Sequence, residues 1–226
     1  MIHSGRMLLR FGHARNDILF ADGKKKDIID RKVRKFYNVP DDAQICMYAP
    51  TFRDNGTDVK SVLDYEMLHR ALKQRFGGEW YILVRAHFKN RYKDSAVSIS
   101  DNYWMLDGSL YSDMQELMVA VNIGITDYSS WAYDYVLTHK PLFIFAPDIA
   151  DYDQMRGFYY PIESTPFSIG YDNNQLIEKI VKYDEGIYNH KIEEFLKGKG
   201  CYEEGNAAKK VVDKIVELMC LQEDKK

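Results

Sequence analysis

The amino-acid sequence predicts an α/β fold, a Rossmann-like parallel sheet with helices on both faces. Two observations carry this reading. Short, nearly continuous apolar runs recur at "ICMYAP" (Ile45–Pro50), "WYILVRAH" (Trp80–His87), "VNIGIT" (Val121–Thr126) and "PLFIFAP" (Pro141–Pro147). Strands this apolar are buried on both faces, as in parallel sheets. Segments of helical spacing separate them, and strand–helix alternation implies crossovers that cover the sheet.

The elements follow in order. Lys25 to Tyr37 is charged, with Ile28, Ile29, Val33 and Phe36 at helical spacing. "NVPDDAQ" is a turn, and the first strand follows it. A polar loop, "TFRDNGTDVKS", leads into a helix over Tyr65 to Phe76, which Gly77 and Gly78 end. The second strand carries Arg85 and His87 at its end, and "VSIS" reads as a minor strand. Ser112 is expected to cap a helix through about Val119. The third strand is followed by a helix over Ser129 to Thr138, then the fourth strand. Asp172 to Tyr183, Tyr188 to Leu196 and Gly205 to Leu221 complete the helices.

Composition narrows the function. The 226 residues are 46% hydrophobic, enough for a substantial core. The balance of 31 Lys+Arg against 34 Asp+Glu shows no basic excess, so no nucleic-acid partner is expected. Cys46, Cys201 and Cys220 form no CxxC pair, which argues against zinc or a disulfide framework. Reduced thiols of a cytoplasmic protein are the simple reading. No apolar run approaches a membrane span, and the first residues lack the apolar core of a signal peptide.

In parallel sheets ligands bind at the carboxyl ends of strands. Polar residues fall there: Thr51 and Arg53 after the first strand, His87 after the second, and Asp127 to Ser130 after the third. Three loops are therefore expected to converge on one rim. Ser129 and Ser130 stand where strand gives way to helix, where free N–H groups and the helix dipole favour a phosphate. Plain N-capping explains the same residues without a ligand. Asp134, one turn further on, suits ribose hydroxyls, or is a solvated carboxylate. His87 suits proton transfer or phosphoryl stabilisation. Arg53 suits a bidentate grip on phosphate, or a salt bridge. Tyr128, Trp131, Tyr133 and Tyr135 read as packing. No residue cluster demands a metal.

At these residues the sequence resembles the CDP-glycerol glycerophosphotransferases of teichoic acid and related polymer synthesis. "GHARNDILF" (Gly12–Phe20) looks like the family's "GxPRNDxL", with Ala14 where proline is usual. "YAPTFRDN" (Tyr48–Asn55) is similar to "YAPTxR", and "VRAHF" (Val84–Phe88) to its strand end. "ITDYSSWAYDY" matches "ITDYSSxxxDY". "KPLFIFAPDIADYDQMRGFYYP" and "GNAAKKVVDKI" resemble the family's later segments. The likeness runs from about Gly12 to Ile215.

The resemblance implies the C-terminal, donor-binding lobe of a GT-B glycosyltransferase fold. Residues 1–11 are then a remnant or linker, 12–221 the Rossmann-like nucleotide-donor-binding domain, and 222–226 a charged tail. It implies transfer of glycerol phosphate, or a related polyol phosphate, from a CDP-activated donor to a polymer hydroxyl, with release of CMP. His87 is the implied catalytic residue. Arg53, Ser129, Ser130 and Thr51 would hold phosphates and Asp134 the ribose, with Asp127 and Arg156 as further members. No cofactor is implied. A polymer or lipid-linked acceptor would meet an N-terminal lobe that has no counterpart before Gly12, so the chain alone is expected to be incomplete. Self-association is left open. The expected location is the cytoplasm, at the inner face of the membrane in a full-length context. Rival readings are another GT-B sugar-nucleotide enzyme and a non-catalytic nucleotide-binding or partner-docking module.

Overall fold

The computed structural model describes residues 8–51, 53, 62–85, 102–158 and 161–223. After a 3-10 helix at Ala14–Phe20, the elements are α1 (Gly23–Tyr37), β1 (Gln44–Tyr48), α2 (Tyr65–Phe76), β2 (Trp80–Val84), β3 (Met105–Asp107) and α3 (Met114–Ala120). Then come β4 (Ile123–Thr126), α4 (Trp131–Tyr135), β5 (Leu142–Phe145), α5 (Ile149–Arg156), β6 (Ser168–Gly170), α6 (Asn173–Val181), α7 (Glu185–Gly198) and α8 (Ala207–Glu223). A 3-10 turn, Val136–Thr138, continues α4.

The strands form one sheet of order β3-β2-β1-β4-β5-β6, and every pairing is parallel. Strand pleating sends successive side chains to opposite faces. Ile45, Met47, Leu142 and Ile144 join a core with Val33 of α1, Leu117 of α3, Tyr135 of α4 and Ile192 of α7. Cys46, Tyr48, Ile82, Ile123, Ile125, Phe143 and Phe145 join a second core with Leu68 and Leu72 of α2 and Leu176 and Ile180 of α6. That two-sided burial is why the strands read as unbroken apolar runs.

The four expected strands are present, each shorter than its apolar run. The second ends at Val84, and His87 lies outside the described residues, as does "VSIS". Two short strands, β3 and β6, were not expected. Each has three residues, too few for a periodic signal. α3 departs from expectation at its cap. Asp113, not Ser112, accepts from the third helical amide, Glu116 N. Aspartates at 22, 64, 172 and 184 cap α1, α2, α6 and α7 in the same way.

Candidate functional site

The order of the sheet makes its site. From β1 the chain leaves to α2 on one face, and from β4 it leaves to α4 on the other. Between the carboxyl ends of those two adjacent strands lies a crevice, the topological switch point where such sheets bind ligands.

Thr51 and Asp127 close on each other across that crevice. The Thr51 amide donates to both Asp127 oxygens, at 2.9 and 3.0 Å, and its hydroxyl donates to Oδ2 at 2.8 Å. The Tyr128 amide donates to Asp127 Oδ1 at 2.6 Å. Two further bonds tie the strand ends together. The Thr126 hydroxyl and the Trp131 indole N–H both donate to the Ala49 carbonyl, at 2.8 and 3.1 Å.

Arg53 sits behind this pair, 2% exposed. Its Nη2 lies 2.9 Å from Asp127 Oδ2. Its Nε and Nη2 donate to the two oxygens of Asp148, at 2.6 and 3.0 Å. Its Nη1 donates to the Thr51 carbonyl and hydroxyl oxygens. The guanidinium carbon is 4.9 Å from the Tyr128 ring centre and 5.1 Å from that of Tyr152, within cation–π range. The Tyr128 hydroxyl completes the network by donating to Asp148 at 3.0 Å. Two carboxylates therefore answer one cation, and the Arg53 fork is engaged on every nitrogen.

Burial pushes the Asp127 carboxyl above its ordinary range, against the pull of Arg53 and Thr51. Burial also works upward on Asp148, but the hydrogen bonds and charge of Arg53 outweigh it and hold that carboxyl low. Burial, then Asp148, raises the Tyr128 hydroxyl, so it stays a donor.

Ser130 occupies the N-cap of α4 and makes no side-chain cap hydrogen bond. It is exposed and Ser129 is half-buried. Plain N-capping thus does not account for Ser130. A small cavity of about 40 Å³ opens beside them, lined among others by Asp127, Ser129, Tyr133 and Phe158. Asp134, further along α4, is held by Arg15 and Asn16 of the "HARND" segment. Trp131 and Tyr135 pack edge to face at 5.3 Å within the core.

The structure thus brings two of the three expected loops together, those of Thr51–Arg53 and Asp127–Ser130. His87, the third, lies outside the described residues. Arg156 ends α5, and its side chain is likewise outside them. Sequence reasoning missed Asp148, Tyr128 and Tyr152 as partners of Arg53, and Arg15, Asn16 and Glu203 around Asp134. Asp148 had a signal, since it follows the fourth apolar run as Asp127 follows the third. Among the described residues, no group of His, Cys, Asp and Glu is placed to hold a metal ion.

The fold and rim define a Rossmann-like α/β lobe with its polar residues gathered at the switch point. The chain belongs to the CDP-Glycerol:Poly(glycerophosphate) glycerophosphotransferase family, which it matches over residues 2–217. It is 30% identical over 225 residues to the teichoic acid poly(glycerol phosphate) polymerase of Bacillus subtilis strain 168, covering 93% of this chain and 28% of that protein. It is 29% identical over 223 residues to the polymerase of the same name from Bacillus spizizenii, covering 93% and 54%. The teichoic acid poly(ribitol-phosphate) polymerase of Bacillus spizizenii is 31% identical over 211 residues, covering 91% and 33%. Among solved structures, a variant of the wall teichoic acid polymerase TagF matches with a TM-score of 0.75 and 29% identity, over 96% of this chain and 53% of that one. A TagF variant soaked with CDPG matches with a TM-score of 0.72 and 28% identity, over 95% and 51%. The chain spans about half, or less, of the length of these relatives.

Proposed function

We propose that this chain forms the donor site of a glycerophosphotransferase of teichoic acid or capsule-type polymer synthesis. The donor is CDP-glycerol or a related CDP-polyol. The observation that carries the reading is the crevice itself, where Thr51 and Asp127 join the ends of β1 and β4 and Ser130, which makes no side-chain cap hydrogen bond among the described residues, stands beside them. Family membership and the likeness to TagF soaked with CDPG support the same reading.

In the proposed reaction an acceptor hydroxyl attacks the β-phosphorus of the donor. The new P–O bond forms as the bond from that phosphorus to the bridging oxygen breaks, and CMP leaves with the bridging oxygen. His87 takes up the hydroxyl proton or steadies the phosphoryl oxygens. Ser129 and Ser130 bind the diphosphate, and Asp134 binds the ribose. Arg53, with its donors committed, serves by holding Thr51, Asp127 and the start of α5 in place. Arg156 is a further candidate member of the donor site. Residues 12–221 act as the donor domain, and the acceptor is a polymer or lipid-linked chain. The work is done at the cytoplasmic face of the membrane. Among the described residues, no helix is long and apolar enough to cross it.

The test is calorimetric titration of the chain with CDP-glycerol, CDP-ribitol and a UDP-sugar. Binding of a CDP-polyol in preference to the UDP-sugar is expected, and no binding of either CDP-polyol would refute the proposal. In a complete enzyme carrying this sequence, His87→Ala should leave donor affinity nearly intact and lower turnover about 10²–10⁴-fold. Normal turnover would remove His87 from the chemistry.

A further inference from the structure

Three consecutive residues of the "HARND" segment reach across the fold. The Arg15 Nε and Nη2 donate to the two oxygens of Asp134, at 3.1 and 3.3 Å. The Asn16 amide donates to Asp134 Oδ1 at 2.8 Å and to Glu203 Oε1 at 3.3 Å. Asp17 accepts from the first two amides of α8, Ala207 and Ala208, each at 2.8 Å. Glu203 in turn accepts from the His13 amide at 3.1 Å. Gly12 permits that approach, because a Cβ there would lie 2.6 Å from Glu203 Oε2.

The two partners of Asp134 differ in kind. Asn16 is 1% exposed and wedged between two carboxylates, so it has a single arrangement. The Arg15 side chain is 57% exposed and that of Asp134 14%. A carboxylate on a helix ordinarily samples several rotamers, and this one is fixed from below by a buried amide and from the solvent side by a planar fork. A carboxylate held in one orientation can accept from a pair of vicinal hydroxyls without first being ordered, and that ordering cost is what weakens binding.

We propose that Arg15 and Asn16 are positioning residues of the donor site, which orient Asp134 to accept from the vicinal hydroxyls of a ribose. This deepens the donor-site reading and rests on it. Arg15 and Asn16 act through Asp134, with no contact of their own to the donor required.

The test compares the affinity of the full chain for CDP and for 2′,3′-dideoxy-CDP, whose ratio reads the hydroxyl contact alone. A general loosening of the fold weakens both ligands and leaves the ratio unchanged. Wild type should prefer CDP. Asn16→Ala and Arg15→Gln should each shrink the preference about 3- to 10-fold, as for a lost hydrogen bond, and Arg15→Lys should shrink it less. Asp134→Asn should abolish it. If Asp134→Asn abolishes the preference while the Arg15 and Asn16 variants keep it, the positioning role is overturned and the donor site stands. If Asp134→Asn keeps it, Asp134 is not the ribose contact and the inference falls with the diphosphate reading intact. If wild type binds neither nucleotide, the donor-site reading and this inference fall together.

Discussion

Thr51 and Asp127 are joined twice, by the backbone amide of the threonine and by its hydroxyl, at 2.9 and 2.8 Å. They stand 76 residues apart in sequence, and their union ties together the ends of the two central strands. Arg53 fixes both. Asp127→Ala takes one of two carboxylates from Arg53, which keeps both bonds to Asp148, and leaves the Thr51 amide without its acceptor. The variant should therefore lower unfolding free energy by about 1–3 kcal/mol, the cost of an orphaned buried polar group. Urea unfolding followed by circular dichroism measures it, and a loss below about 1 kcal/mol would show the network to be dispensable.

Ser130 separates binding from scaffolding. Its hydroxyl makes no cap bond, so Ser130→Ala should leave thermal stability unchanged. If the donor diphosphate sits there, the variant loses one charge-assisted hydrogen bond, roughly 1.5–3 kcal/mol of affinity for CDP-glycerol. Calorimetry measures the affinity. Unchanged binding would remove Ser130 from the site.

Asp148 gives the network a pH signature. Arg53 holds its folded pKa below the ordinary value of 3.8. A carboxyl depressed on folding stabilises the protein above its unfolded pKa, and loses that contribution as pH falls through the folded one. The stability difference between wild type and Asp148→Asn should be full near neutral pH and shrink below about pH 4. A difference that persists unchanged to pH 2 would show that Asp148 acts by packing alone.

Gly124 links the core to the rim. A Cβ there would lie 2.7 Å from Leu142 Cδ1 and 2.9 Å from Trp131 Cη2. Trp131 opens α4, so relief of the clash moves the helix that follows Ser130. Gly124→Ala should cost about 1–3 kcal/mol in stability, and donor affinity should fall with it. Full affinity with reduced stability would mean that the strain relaxes toward Leu142 instead.

The sheet was legible because burial on both faces leaves a mark in composition. Ile45 to Tyr48 and Leu142 to Phe145 read as strands, and are strands. Met105–Asp107 and Ser168–Gly170 left no mark, being too short and at the sheet's edges. The rim was legible in part, because strand ends are where polar residues have reason to interrupt an apolar run. Thr51 and Asp127 were found that way. What was not legible was commitment. Nothing local to Arg53 tells that Asp148, 95 residues on, will claim its fork, nor that Arg15 and Asn16 will claim Asp134. Such partners are set by crossovers, which place distant segments side by side with no trace in either one's spacing.

The grip of Asp17 on the first amides of α8 spans 190 residues of chain. Loops of that length close late, after local helices and neighbouring strands have formed, because the entropy of joining the ends must be met before the contact returns anything. Synthesis runs in one direction, so a nascent chain has its central strands long before it has α8. The anchoring of Asp17 on α8 is therefore among the last contacts to be made, and the sheet can be complete before the segment that carries Arg15 and Asn16 is tied down at this end.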